Sequence, residues 1–309
     1  MIYPSLTVVT PSLNQAQFLG KTLDSVLAQE YPRLDFVVMD GGSTDGSLDI
    51  LVAYENRIRY FSETDRGQSE AINNGWRRSQ GEIIAWLNSD DILYPGALNV
   101  VGEFFASHPE VDLVYGAGDF IGCEGHVICS YPTREWNYST LVRNGENFLL
   151  QPAVFMRRSL LERVGYLNEG LSYVMDFDYW LRAGFQCTVV YLPVKLAALR
   201  LHHASKSLAQ TAGFSNELIL IYRNLFTTTD LPSPMRALER EAMSSIYHRA
   251  SDIHFWAGDV PAARYFAWRS FCFRPWKLRR LWLYLTLGKI GRGLAEYQYS
   301  NPYLRGTTR

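Results

Sequence analysis

Through the first hundred residues, short β-rich apolar runs alternate with longer stretches of helical spacing, the way a sheet covered by helices reads in sequence. Leu6-Thr7-Val8-Val9-Thr10 predicts a first strand. Phe18 to Gln29 then places Phe18, Leu19, Leu23, Val26 and Leu27 near helical spacing, and Pro32 stops it. Asp35 to Asp40 predicts a second strand running into the turn Gly41-Gly42-Ser43-Thr44-Asp45-Gly46, with a helix from Ser47. Ile58 to Ser62 predicts a third strand, Ser69 to Ser79 a helix, and Ile83 to Leu87 a fourth strand. This βαβαβ rhythm gathers the loops after the strands on one edge, where open α/β sheets bind ligands. Asp40 and Asp90-Asp91 both fall on that edge.

The pattern after Pro95 predicts a helix to Ser107, strands at Asp112–Tyr115 and Val127–Tyr131, and a connecting bend over Gly116–Gly125. Helices follow near Ser159–Val164 and Asp176–Ala183, then strands at Thr188–Leu192 and Ala197–Leu201. From about Phe214 the spacing is helical to the end, with Pro261 and Pro275 read as lying inside two of the helices. The expected architecture is α/β, a predominantly parallel mixed sheet with a carboxy-terminal helical appendage over residues 213–309.

Composition narrows the reading. A chain of 309 residues that is 47% hydrophobic can bury a sizeable core. Its net charge of -1 gives no reason to expect nucleic acid as partner. Cys123, Cys129, Cys187 and Cys272 have no zinc-ligand spacing and read as reduced thiols of a cytoplasmic protein. The start Met1-Ile2-Tyr3-Pro4-Ser5 lacks the basic and apolar regions of a secretory signal. The apolar run Leu281–Leu287 is too short to span a bilayer.

Several polar clusters carry candidate chemistry. In Asn88-Ser89-Asp90-Asp91, adjacent carboxylates repel each other; one suffices for a helix cap, whereas a divalent cation offsets both, so cap and cation site are the two readings. Asp40 before two glycines is either turn chemistry or a carboxylate placed to accept from a base N–H. Asp65-Arg66-Gly67-Gln68, between a strand and a helix, is either a solvated cap or a phosphate-binding start.

In order, Thr10-Pro11-Ser12-Leu13-Asn14, the turn from Val37 to Gly46, Asp65-Arg66-Gly67-Gln68, Gly81-Glu82-Ile83-Ile84 and Ser89-Asp90-Asp91 closely resemble the family 2 glycosyltransferases of the GT-A fold. The resemblance continues through Gln151-Pro152-Ala153, Met175 to Arg182 and Arg200 to Ser207, over roughly two thirds of the chain. It implies a transferase domain over 1–212, with a nucleotide-sugar half (1–115) and an acceptor half (116–212). It further implies an inverting enzyme that moves a single sugar from a nucleotide diphosphate sugar, UDP favoured over GDP or dTDP, to a glycan or lipid-linked hydroxyl. The cofactor implied is Mn²⁺ or Mg²⁺.

By the same resemblance Thr10 and Pro11 line the base and ribose pocket, Asp40 binds the base, Ser89 belongs to the nucleotide-sugar site, Asp90 contacts the ribose, and Asp91 holds the metal. Asp65 and Arg66 border the nucleotide. Leu13 stands where an aromatic residue often stacks on the base, a departure bearing on base preference. Asp176 matches the catalytic base, with a helix cap as its other reading and Asp178 a weaker candidate. His202 matches a metal or phosphate contact, against a structural histidine, with His203 and Lys206 beyond it. Gln151 and Trp180 border the acceptor, Trp180 equally reading as core. A Gln-x-x-Arg-Trp sequence of processive synthases is absent.

The basic-aromatic stretch Phe271 to Tyr284 reads either as a packed hairpin or as a peripheral contact with the inner face of the membrane. Two rival functions make other demands on the sequence. Sugar-nucleotide synthesis calls for a glycine-rich basic loop, which Thr10 to Asn14 does not supply. A noncatalytic sugar-nucleotide sensor has no use for Asp176.

Overall fold

A computed structural model describes residues 3–202 and 212–276 and falls into two compact units: Met1–Trp136 with Phe148–Arg200, and Asn137–Asn147 with the chain from Leu201 onward. Residues 137–147, expected in the transferase domain, group with the helical unit instead.

The first unit opens with β1 (Leu6–Ser12), α1 (Ala16–Leu27), β2 (Leu34–Asp40), α2 (Ser47–Ala53), β3 (Arg59–Ser62), α3 (Gln68–Arg77) and β4 (Ile83–Trp86). These strands pair in parallel in the order β3-β2-β1-β4. Alternation along a strand sends successive side chains to opposite faces. Leu6, Val8, Ile83 and Ala85 therefore join Leu19, Leu23 and Val26 of α1 in one core. Trp86 faces the other way and meets Trp76 of α3 edge-on, with ring centroids 5.6 Å apart.

Beyond β4 come β5 (Ile92–Leu93), α4 (Ala97–Ser107), β6 (Leu113–Ile121), β7 (Val127–Ser130), β8 (Val154–Arg157), α6 (Ser159–Val164), α7 (Met175–Ala183) and β9 (Val189–Arg200), with α5 (Tyr138–Asn144) belonging to the second unit. The sheet continues β4-β8-β6-β9-β5, with β7 also on β6. Parallel pairing is concentrated in β1–β4 and recurs at β6–β9, whereas β8, β7 and β5 pair antiparallel, so the second half is more mixed than the sequence predicts.

Two expectations change here. The bend over Gly116–Gly125 is largely strand, because Gly116 and Gly118 lie inside β6, facing β9. A side chain on Gly116 would meet Leu196 Cδ1 at 2.5 Å and the Val194 carbonyl at 2.8 Å. These glycines serve close backbone approach, one of the uses of glycine in a strand interior. The two strands expected at 188–192 and 197–201 are one, β9, whose register on β6 slips between Leu192 and Lys195 and thereby accommodates Pro193.

In the second unit, α8 (Ala212–Thr227), α9 (Ser233–Arg236), α10 (Glu239–Trp256) and α11 (Val260–Phe273) follow α5. Ser244 and Ser270 each donate a hydroxyl to the other's carbonyl, at 2.7 and 2.6 Å, which brings α10 and α11 close. Pro261 starts α11 rather than interrupting it, with Asp259 capping the Ala262 N–H at 3.1 Å. Pro275 follows the helix end. Among the described residues no helix is long and apolar enough to cross a membrane. His203, Lys206 and the basic-aromatic stretch after Trp276 lie outside the described residues.

Candidate functional site

Three parallel strands end in register at Ser12, Asp40 and Ser62. Asp40 is 1% exposed, and its Oδ2 accepts from the Gly42 and Ser43 N–H groups at 3.1 and 3.0 Å and from the Ser62 hydroxyl at 2.7 Å. Its Oδ1 is buried and has no partner among the described residues, as do Thr10 Oγ1 and Ser12 Oγ. Buried polar atoms left unpaired cost free energy, so three of them at adjacent strand ends make this a candidate ligand site. Pro11 is buried beside Met39, and Leu13 stands 52% exposed beyond the strand end. The turn after β1 is stitched to the glycine turn: Asn14, at a φ of 53°, takes the Thr44 N–H on Oδ1 at 2.8 Å and donates its own N–H to Ser43 Oγ at 2.8 Å. Asparagine tolerates that left-handed conformation.

Asp65 lies against Gly41, where an added Cβ would come within 2.8 Å of its Oδ2. Its Oδ1 accepts the Gly67 N–H at 2.9 Å. The Arg66 side chain, 74% exposed, bonds Glu70 at 2.8 Å and Glu169 at 2.7 Å. Those bonds, Glu70's first, raise its pKa.

The turn after β4 is held from several sides. The Thr22 hydroxyl of α1 is shared between the Ser89 and Asp91 carbonyls at 2.9 and 2.8 Å. Ser89 is 4% exposed, Asp90 half-buried and Asp91 2% exposed. Asp91 accepts the Arg200 backbone N–H on Oδ1 at 2.8 Å and the Asn88 amide on Oδ2 at 3.2 Å. Burial first, then the neighbouring Asp90 charge, push the Asp91 carboxyl well above its ordinary range, against those donor bonds. The Arg200 side chain, itself buried, gives Nε to the Asp90 carbonyl at 2.8 Å and Nη1 to the Gly122 and Cys123 carbonyls at 2.9 Å.

Gln151 joins this turn. Its Nε2 donates to the Trp86 carbonyl at 2.8 Å and its Oε1 accepts from Asn88 at 3.2 Å, while Asn88 Oδ1 takes the Gln68 amide at 2.6 Å. Ionised, as it must be to hold a cation, Asp91 can only accept and so fixes which way these amides point. Trp180 does not border an acceptor: it is 1% exposed and stacked on Trp86, with centroids 5.6 Å and planes 20° apart. It is core. Asp176 is half-buried in the first turn of α7, and Asp178, 7% exposed, pairs with Arg182 at 2.8 Å. Burial raises the Asp178 carboxyl despite that cation. His202 is 7% exposed and belongs to the second unit; its role toward a metal rests on the resemblance alone.

Sequence reasoning missed Thr22, Gln68, Asn88 and Arg200 as supports of this turn. Thr22 lies 67 residues from Ser89, and Arg200 lies 109 from Asp91, so no local spacing reveals either partnership.

Among the described residues no group of three or more His, Cys, Asp or Glu gathers to hold a metal. Mg²⁺-type cations need no such group, since one or two carboxylates suffice when substrate phosphates and water complete the shell. Asp91 fits that demand, because each of its oxygens keeps a lone pair beyond the single bond described.

A sheet of this strand order, with its carboxylates on the edge after the parallel strands, has the GT-A fold. Residues 7–165 of the 309 match the model of Glycosyl transferase family 2, more than half of the chain, and the chain belongs to that family. It is similar to an uncharacterized glycosyltransferase of Rickettsia felis, 27% identical over an alignment of 193 positions that covers 58% of this chain and 31% of that one. It is also similar to a PGL/p-HBAD biosynthesis glycosyltransferase of Mycobacterium tuberculosis, 28% identical over 230 residues, 71% of this chain and 82% of that one. The chain spans 30% to 66% of the length of the Rickettsia relatives it matches. Among solved structures, TarS of S. aureus with UDP-GlcNAc aligns at a TM-score of 0.69 and 18% identity, covering 98% of this chain and 92% of that one. The mannosyltransferase PcManGT of Pyrobaculum calidifontis, with GDP-Man and Mn²⁺, aligns at 0.60 and 18%, covering 94% and 88%.

Proposed function

We propose that the chain is an inverting glycosyltransferase that moves one sugar from a UDP-sugar to a hydroxyl of a glycan or lipid-linked acceptor. The observation that carries the donor reading is the unpaired, buried Oδ1 of Asp40 beside the unpaired hydroxyls of Thr10 and Ser12. Oδ2 already takes three donors, so one oxygen is left to accept from a base. Uracil offers a single imino N–H; guanine offers two parallel N–H donors, which suit a carboxylate with both oxygens free. That favours uridine over guanosine, with thymidine compatible at the base.

Asp90 contacts the ribose in this reading, and Asp91 holds the divalent cation. When bound, Mn²⁺ or Mg²⁺ supplies charge that stabilises the leaving diphosphate. The acceptor oxygen attacks the anomeric carbon as the bond to the phosphate oxygen breaks, the electron pair leaves with UDP, and Asp176 takes the hydroxyl proton. Gln151, close to the turn, is the remaining acceptor-side candidate.

Calorimetry with UDP, GDP and dTDP, each with and without Mn²⁺, tests the donor reading. UDP is expected to bind most tightly and Mn²⁺ to strengthen it; GDP binding more tightly than UDP overturns the base assignment. Asp91→Ala is expected to remove the Mn²⁺ effect, and Asp176→Asn to abolish transfer while leaving UDP affinity in place. Transfer by Asp176→Asn at the wild-type rate overturns the base role.

A further inference from the structure

Helix α3 begins at the donor-bordering segment Asp65-Arg66-Gly67, and two of its buried polar side chains point away from that segment's own turns. Ser69 is 2% exposed and Asn73 is 0% exposed. Spaced four apart, they share one face of the helix. A buried amide needs all of its bonds met, and Asn73 meets them on another segment. Its Nδ2 donates to the Leu167 carbonyl and to Glu169 Oε1, both at 3.0 Å, while its Oδ1 accepts the Leu167 N–H at 3.1 Å. Ser69 donates to the Leu171 carbonyl at 3.2 Å and lies 2.8 Å from Met175 Sδ. Arg66 adds its bond to Glu169 on the surface.

The segment so held, Leu167 to Met175, leads directly into Asp176. It lies between α6 and α7 and contains no helix or strand of its own until α7 begins at Met175. Its backbone groups at Leu167 pair with a side chain in place of a neighbouring strand. The position of the base is thus set from α3, the helix whose start borders the donor.

We infer that Asn73, with Ser69, is a positioning residue that fixes the Asp176-bearing segment to the donor-side helix. The inference rests on the reading of Asp176 as the base. Placement errors of about 1 Å cost on the order of 100-fold in rate, so loss of this tether acts on turnover while the nucleotide pocket at Asp40 and Asp90 stays intact.

The test compares Asn73→Leu, which keeps the approximate shape and removes all three bonds, with Ser69→Ala as the milder change and Asn74→Leu as a control on the same helix. Three readouts are taken: UDP affinity with Mn²⁺ by calorimetry, UDP release from UDP-GlcNAc into water, and hydrogen exchange of residues 166–175. Asn73→Leu is expected to bind UDP within about twofold of wild type, to release it about 100-fold more slowly, and to exchange faster in that segment. Should Asn73→Leu not fold, Ser69→Ala is expected to show the same split at about tenfold. Asn74→Leu is expected to match wild type in all three. Unchanged exchange, an unchanged rate, or UDP affinity and rate falling together each overturn the inference. If instead the wild type binds UDP with no help from Mn²⁺ and releases none, the donor-site reading fails, and the exchange measurement still decides whether Asn73 holds the segment.

Discussion

The Ser62 hydroxyl reaches Oδ2 of Asp40 at 2.7 Å, so a side chain on β3 helps decide which oxygen of a β2 carboxylate is left without a partner. Two backbone N–H groups hold the same oxygen. In Asp40→Asn those N–H donors keep the amide oxygen in the Oδ2 position and turn the NH₂ toward the base. A donor there opposes the uracil imino N–H and suits the N3 acceptor of cytosine. Loss of a bond to a charged group costs about 1.5–3 kcal/mol, so UDP affinity is expected to fall roughly 10- to 100-fold. Calorimetry with UDP and CDP should show the preference move toward CDP.

Trp180 and Trp86 stack inside the unit that carries the turn. Trp180→Ala is expected to destabilise by about 3–5 kcal/mol, read as a lower denaturant midpoint, whereas an acceptor-stacking residue would lower acceptor affinity and leave that midpoint in place. Trp180→Phe should retain UDP binding.

Asp119 of β6 is 2% exposed and accepts from Tyr94 at 2.7 Å, Lys195 at 2.8 Å and Ser130 at 2.9 Å. Burial alone would raise its carboxyl, but the bonds from Lys195, Tyr94 and Ser130 outweigh it and hold the pKa below the ordinary 3.8. Stability from a carboxylate of lowered pKa is present above its unfolded pKa and is lost as pH falls through the folded one. Asp119→Asn is therefore expected to lose about 2 kcal/mol at pH 7. The gap to wild type should close as the pH drops below the ordinary value, as followed by urea unfolding across pH.

Gly118 faces Ala197 of β9, and an added Cβ would overlap the Ala197 carbonyl oxygen and Leu150 Cδ2. Gly118→Ala is expected to cost about 1–3 kcal/mol, measurable as a lowered thermal midpoint. The same substitution at Gly20, where nothing lies within 4 Å, should be tolerated.

What sequence could disclose follows from where each signal lies. The elements from β1 to β4, and α4 after them, were legible because each is bounded by its own turn residues and carries its own apolar run, as at Ile83–Trp86 and Phe18–Val26. Gly116 and Gly118 misled because a glycine that permits close strand contact looks like one that bends the chain. Pro193 divided β9 for a similar reason, its bulge being visible only in the register. β8 escaped notice behind Gln151-Pro152-Ala153, and β5 has two residues. At the site, the motif carboxylates stood out through their type and order. Their supports did not, since Thr22 and Arg200 are ordinary residues until the fold brings them to the turn.

The insertion of β8 between β4 and β6 bears on how such a chain can be recombined. A cut near residue 115, between the proposed donor and acceptor halves, would strip β4 of its outer neighbour and take Arg200 from Asp91. Grafting a different acceptor region onto this donor region therefore calls for a transplant that carries its own equivalents of β8 and Arg200. The seam for exchange lies along side-chain contacts rather than at a point in the chain.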